Sequence, residues 1–297
     1  MKKWLVRLVL AIAVVLLGLP LAVILAYTFL SHTNGDLISS GDVRRYRLYI
    51  PESYDPATPS PLVISLHAAF LSPGSQQRIT GWNEVADREG FIVVYPQATG
   101  FPRTWRGLSD DEALARETRF FRDLIDKLSA DFNIDAGRIY ANGFSNGAAM
   151  TFKLSCTMAD RIAAFGMVAL PVSSWEQCYD RRPVSAILFQ GSADPLVPYA
   201  GGANWLTESP LPAFEDWFAG WGERNRCDGI AVFTPASGIS SRRYSNCAAG
   251  TEVVLYTLEG AGHVWPGGLQ FAGDTMEPYT DSVDATVTMW QFFQGRW

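Results

Sequence analysis

Ser145 stands between two glycines in Gly143-Phe144-Ser145-Asn146-Gly147, after a strand-like run at 138–142 and before an apolar, helical stretch at 148–152. A serine on such a strand-to-helix bend holds its hydroxyl above a parallel sheet, and the flanking glycines let neighbouring backbone pass where a Cβ would clash. A serine hydroxyl does not ionise near neutrality. Attack therefore needs an imidazole that takes the proton and later returns it to a leaving group. The chain has 3 histidines, so elimination is possible. His32 follows an apolar N-terminal segment, and His67 ends the strand-like run at 61–66. His263 is left as the base, in the glycine-rich loop Gly260-Ala261-Gly262-His263 just after the apolar run at 253–258.

An acid must hold that imidazole in one tautomer, and the chain order that goes with this serine motif is nucleophile, acid, histidine. Asp160, Asp180, Asp194, Asp216 and Asp228 all satisfy the order. Only Asp194 directly follows a strand-like run, at 186–190, and loops at the carboxyl ends of strands are where open α/β sheets build their sites. Asp194 is therefore the expected acid, although an aspartate before a proline also has an ordinary role in turns. The oxyanion donors should be the backbone N–H of Asn146, next after the nucleophile, and that of Ala69, in the loop after the early strand. Base duty for His67 would break the chain order, so it reads as a structural residue of that loop.

These residues need a sheet to carry them. Strand-like runs at 46–50, 62–66, 91–95, 138–141, 165–170, 185–190 and 253–258 alternate with helical patterns, as a mostly parallel sheet flanked by helices requires. The clearest helix covers 112–132, with Phe120, Phe121, Leu124, Ile125 and Leu128 at helical spacing and Asp111 as its cap. A last helix near 282–293 should turn Val283, Val287, Trp290 and Phe293 inward behind the His263 loop. With 297 residues, 48% of them hydrophobic, and no repeat or low-complexity linker, one large core is expected: a leader over 1–32 and a single catalytic domain over 33–297.

Several strings occur together in a fixed order: Leu66-His67-Ala68-Ala69, Tyr95-Pro96, Gly143-Phe144-Ser145-Asn146-Gly147-Ala148-Ala149-Met150, Asp194-Pro195-Leu196-Val197-Pro198-Tyr199-Ala200-Gly201-Gly202 and Gly262-His263-Val264-Trp265-Pro266-Gly267-Gly268. In this the chain resembles the polyhydroxybutyrate depolymerase and feruloyl esterase group of α/β-hydrolases, the carbohydrate esterase family 1 type, over about residues 42–297. The resemblance implies one α/β-hydrolase domain that cleaves carboxylic esters, with Ser145 as nucleophile, Asp194 as acid, His263 as base and no cofactor. Ala68 stands where that group usually has glycine, and Gln97 where an aspartate-glycine pair often follows Tyr-Pro. If the usual glycine takes φ > 0, a Cβ at position 68 would re-aim the oxyanion loop.

Lys2, Lys3 and Arg7 precede an uncharged apolar run over 8–30, long enough at ~1.5 Å per residue to cross a bilayer. Positive charge upstream predicts a cytoplasmic N-terminus and an exported domain. The run exceeds the ~7 to 15 apolar residues of a signal peptide and lacks an Ala-x-Ala site, so it reads as an uncleaved signal anchor, with a cleaved signal and secretion as the alternative. Cys156, Cys178, Cys227 and Cys247 all follow it and show no C-x-x-C spacing. Four cysteines allow three pairings; Cys156 with Cys178 and Cys227 with Cys247 would each close a short segment.

Net charge is −6, with no basic run beyond the leader, which argues against nucleic acid as a partner. Three histidines in these roles leave no metal cluster. Phe70, Trp105, Phe144, Tyr199 and Trp265, together with Trp205, are the aromatics that would wall an acyl pocket, and 201–212 would form a small lid. Two other classes use or keep the same constellation: a non-catalytic binding protein on this fold, and a serine peptidase of the prolyl-oligopeptidase type, which usually carries an extra gating domain.

Overall fold

A computed structural model describes residues 30–109, 112–172, 175, 178, 182–203, 210–269 and 280–296. The expected membrane helix up to residue 29, Asp111, Trp205 and half of the expected lid, 204–209, lie outside these residues. Among the described residues, no helix is long and apolar enough to cross a membrane.

Ten strands form one sheet: β1 (Gly35–Ser39), β2 (Asp42–Tyr49), β3 (Ser60–Leu66), β4 (Ile92–Pro96), β5 (Ile134–Phe144), β6 (Ala164–Val168), β7 (Ser185–Gly191), β8 (Ile230–Ala236), β9 (Ile239–Tyr244) and β10 (Val253–Leu258). Their order is β1-β2-β4-β3-β5-β6-β7-β10-β9-β8. The six strands from β4 to β10 run parallel, and antiparallel pairs close both edges. Helices α1 (Pro73–Thr80), α2 (Trp82–Glu89), α3 (Glu112–Asp131), α4 (Asn146–Thr157), α5 (Phe214–Arg224) and α6 (Ala285–Gln294) flank it.

The central strands are buried on both faces, which is why they read as continuous apolar runs rather than as alternating ones. Successive side chains still divide with period two. Leu62, Ile64 and Leu66 of β3 join one core with Phe120, Phe121 and Leu124 of α3, Phe152 of α4 and Trp217 and Trp221 of α5. Val63 faces the other core, with Trp82 of α2 and Trp290 and Phe293 of α6. Val283 and Val287 pack partly buried against that second core, so the expected inward face of the last helix holds.

Three strands were not expected: β1, β8 and β9. All three lie at or beside the sheet edges, where one face is wet, and β1 and β8 expose Ile38, Ile230, Val232 and Phe233. β1 and β9, the latter with Ser-Ser-Arg-Arg, lack the apolar run that marks a central strand, whereas β8 has a short one at 230–233 that was passed over.

The cysteines pair as expected. Cys156–Cys178 ties α4 to the segment beyond β6, with Cα atoms 4.4 Å apart, and Cys227–Cys247 brackets the β8–β9 hairpin. The first closes a loop with a sequence separation of 22. Replacing both Cys156 and Cys178 by alanine should therefore destabilise the fold by about 3 kcal/mol on the loop-entropy account. That corresponds to a melting temperature lower by roughly 6–12 °C, read by circular dichroism against the oxidised parent.

Candidate active site

The strand order decides which loops meet. β3, β5, β6, β7 and β10 are consecutive parallel neighbours apart from the edges, so the loops after them share one rim of the sheet. At that rim the bend after β5 is tight. Ser145 has φ 52° and ψ −120°, a region that side chains rarely occupy, and α4 starts at the next residue. Its N–H donates to Val168 O at 2.8 Å, and its carbonyl accepts from the N–H groups of Ala148 and Ala149. A Cβ on Gly143 would lie 2.2 Å from Gly147 O, and one on Gly147 2.3 Å from Leu66 O. Both flanking glycines are thus fixed by close backbone approach, as the sequence reading required.

Asp194 and His263 are brought together by the β7–β10 register. Gly191 pairs with Leu258 at the ends of these strands. Just beyond, Ser192 N–H donates to Leu258 O at 2.9 Å, Ala193 N–H to Ala261 O at 3.0 Å and Gly260 N–H to Ser192 Oγ at 2.9 Å. The two loops are stitched as one unit. Gly191 is their closest approach, where a Cβ would sit 2.2 Å from Ala261 O. Within this unit His263 Nδ1 lies 2.8 Å from Asp194 Oδ2. Because a carboxylate only accepts, Nδ1 carries the proton, and in the neutral ring that leaves Nε2 as the acceptor. The other oxygen, Oδ1, accepts from the N–H groups of Leu196 and Val197 at 2.9 and 2.8 Å. Asp194 therefore does both jobs considered for it: one oxygen closes the turn before Val197 and the other holds the imidazole.

Gln190 was not expected to matter. Its Nε2 donates to Asp194 Oδ2 at 3.0 Å, to Gly191 O at 3.1 Å and to Val197 O at 3.0 Å, entirely buried. A glutamine ending an otherwise apolar strand, four residues before the acid, was the signal that could have found it.

The bend that carries Ser145 packs against His263 through its neighbour. The Phe144 ring, adjacent in sequence to the serine, stacks on the imidazole with centroids 5.1 Å apart and 30° between planes. Among the described residues no hydrogen bond to the serine hydroxyl is formed, and such bonds commonly close only with substrate bound.

On the other side of Ser145, Ala68 to Leu71 make a turn closed by Leu71 N–H to Ala68 O at 3.2 Å. The residue with positive φ is Phe70, at 66°, and not Ala68. The Cβ at position 68 is therefore not the constraint expected of it, because the turn takes its left-handed residue two places later. Ala69 lies within the turn, and Asn146, at the first position of α4, has a backbone N–H with no partner inside its helix. The Asn146 side chain clamps the next loop, its Oδ1 accepting from Trp105 N–H at 2.6 Å and its Nδ2 donating to Trp105 O at 3.1 Å. Trp105 Nε1 in turn donates to His67 O at 2.9 Å. His67 is buried, with Nδ1 donating to Ala68 O at 2.8 Å and Nε2 accepting from Ala98 N–H at 3.1 Å. It is the structural residue expected. Burial, with a smaller push from the Arg103 charge, lowers its pKa to about 4 against the opposing bond to Ala68 O.

The aromatics separate into support and surface. Trp105 is 2% exposed and Trp265 3%, and each spends its indole N–H internally, Trp265 on Thr286 Oγ1 at 2.9 Å. Tyr199 stacks on Phe214 and its hydroxyl binds Glu215 and Thr257. These three hold the loops rather than wall an open pocket, because an indole or phenol buried beside polar groups finds its partner there. Phe144 is 8% exposed beneath the imidazole, and Phe70, 56% exposed, is the one that faces outward.

The arrangement has the parts for acyl transfer: a hydroxyl on a strained elbow, a carboxylate–imidazole pair, and backbone donors beside them. Comparison with known proteins agrees with such chemistry. Residues 44–178 match the family model described as esterase PHB depolymerase. The bifunctional acetylxylan esterase/xylanase XynS20E of Neocallimastix patriciarum is 33% identical over 54% of this chain and 22% of its own length. Feruloyl esterase B of Piromyces equi is 27% identical over 74% of this chain and 42% of its own. The chain thus spans less than half the length of either relative. The solved acetyl xylan esterase from Aspergillus awamori overlays with a TM-score of 0.57 at 14% identity, covering 82% of this chain and 96% of that one, which shows the α/β-hydrolase fold.

Two outcomes follow from this geometry. Gly191→Ala should cost about 1–3 kcal/mol by overpacking. It should also abolish the low-field proton resonance of the His263–Asp194 hydrogen bond, because the added Cβ pushes the Ala261 carbonyl and its loop away. Urea unfolding and one-dimensional proton NMR read both. The second outcome concerns pH. The His67 pKa is lower folded, about 4, than the ordinary 6.5, so below pH 6.5 the unfolded chain binds the extra proton and stability is lost as pH falls towards 4. The loss should be on the order of 3 kcal/mol by pH 4, and a His67→Gln variant, though less stable at pH 7, should lack that part of the slope.

Proposed function

We propose, from the match of residues 44–178 to the esterase PHB depolymerase model, that the chain is an α/β-hydrolase of the polyhydroxybutyrate depolymerase and feruloyl esterase group and an exported serine esterase working through an acyl-enzyme on Ser145. The observation that carries this reading is the 2.8 Å contact of His263 Nδ1 with Asp194, on a ring stacked against the residue beside Ser145. His263 Nε2 takes the Ser145 proton as Oγ attacks the ester carbonyl. The tetrahedral oxyanion forms against the N–H groups of Asn146 and Ala69. Collapse expels the alcohol, which receives the proton from His263, and a water then repeats the sequence in reverse to free the acid.

Phe70 serves as the outer wall for the acyl group and Phe144 as the floor under the imidazole, while Trp105, Tyr199 and Trp265 brace the loops. The acids of the relatives' esters, acetyl and feruloyl groups, and hydroxyalkanoates are the candidate acyl groups. Two disulfides support an oxidising, extracytoplasmic location. The apolar run over 8–30 serves as an uncleaved anchor that leaves the domain outside the membrane.

Ser145→Ala should lower kcat/KM on p-nitrophenyl acyl esters, methyl ferulate or hydroxybutyrate oligomers by at least about a thousandfold, with the fold retained. Equal turnover in both proteins, measured with circular dichroism as the folding control, would contradict the mechanism.

A further inference from the structure

The point where the described domain begins is fastened to the rim of the proposed site. Leu30 ends the apolar run, and its carbonyl accepts from Ser72 Oγ at 2.6 Å, the N-cap of α1 just past the Ala68–Leu71 turn. Arg103 donates from its guanidinium to Ser31 Oγ at 3.3 Å, while its carbonyl accepts from Phe70 N–H at 2.9 Å. Gly74 is also pressed against this junction, for a Cβ there would lie 2.6 Å from Leu30 O. No linker separates the apolar run from the oxyanion turn, so a membrane that holds the run must lie close to that rim.

The same rim carries exposed apolar side chains from two loops joined by the Phe70 N–H bond to Arg103 O: Phe70 after β3, 56% exposed, and Phe101 after β4, 92% exposed. Residues 97–106 contain Arg103 and Arg106 and no acidic residue, although the whole chain carries a net charge of −6. Apolar tips beside basic residues suit an anionic lipid surface.

We infer that the rim formed by Phe70 and Phe101 docks on the bilayer that holds residues 8–30, so that the oxyanion turn opens onto the lipid and the enzyme draws acyl esters from the membrane rather than from bulk water. The inference rests on the anchor and esterase readings above. It sets the substrate class as an ester carried in a lipid phase.

The test uses the full chain in phosphatidylethanolamine–phosphatidylglycerol vesicles. Vesicle flotation comes first: a chain that does not float lacks the anchor, and the docking falls with it. Turnover is then compared for p-nitrophenyl acetate in water and p-nitrophenyl palmitate in the bilayer. Phe101→Ser should lose about tenfold or more on the bilayer ester and stay within about twofold on the aqueous one. Equal rates on the bilayer ester for both proteins would overturn the docking while leaving the anchor standing. A rise of the aqueous rate in Phe101→Ser would also overturn it, pointing to the chain's own apolar run covering the rim. A further readout needs no activity: with brominated acyl chains in the vesicles, the added emission of Phe101→Trp should be quenched and that of Ile230→Trp, on the opposite sheet edge and level with the start of β10, should not. Absence of quenching at position 101 overturns the docking even if the esterase reading itself fails.

Discussion

The close approach of backbone behind Ser145 is the constraint on which the rest of the site depends. Two strand ends and a helix start are packed so tightly there that carbonyl oxygens occupy the places of two Cβ atoms, at Gly143 and Gly147. That crowding fixes the serine at φ 52° and aims the first N–H groups of α4 at the space above the sheet. Ala169, after β6, and Phe70, after β3, are also held at positive φ, so three neighbouring strands end in strained residues on one rim. Strain of this kind, of order 1–3 kcal/mol per residue, persists only where the surroundings over-determine it. Here they do, through buried strands on both sides and the disulfide that ties α4 to the segment beyond β6.

From that bend the polar chemistry propagates by short contacts. Asn146 holds the Trp105 loop, Trp105 holds the His67 carbonyl, and His67, kept neutral by burial, bridges the loops after β3 and β4. On the opposite side Gln190 secures the acid while the β7–β10 stitching secures the base. A carboxylate with both oxygens occupied by fixed donors cannot rotate away from its imidazole. Preorganisation of this sort is what lets a site stabilise charge without reorganising at the moment of reaction.

Much of this was legible in the sequence because the relevant signals are local. The glycines around Ser145, the apolar runs of doubly covered strands and the position of Asp194 after such a run each announce a backbone requirement. Pairing of the cysteines was legible too, since each bridge closes a short loop. Strands β1 and β9 were not, because they have no continuous apolar run, and the short run at 230–233 that opens β8 was overlooked. The bracing bonds of Trp105, Tyr199 and Trp265 were not legible for a related reason: a loop position in sequence says nothing about whether an indole N–H or a phenol will find a buried partner. Gln190 was overlooked because its partners lie both in its own turn and in the acid it positions, and only the folded loop brings them together.

The central claim is that Ser145, served by His263 and Asp194, is the nucleophile. Incubation of the full chain with a fluorophosphonate, followed by digestion and mass spectrometry, tests it most directly. The account predicts a single phosphonyl adduct on Ser145 that forms in step with loss of esterase activity and does not form in His263→Ala. Complete inactivation with the adduct on another residue, or an active enzyme carrying a stoichiometric adduct on Ser145, would contradict it.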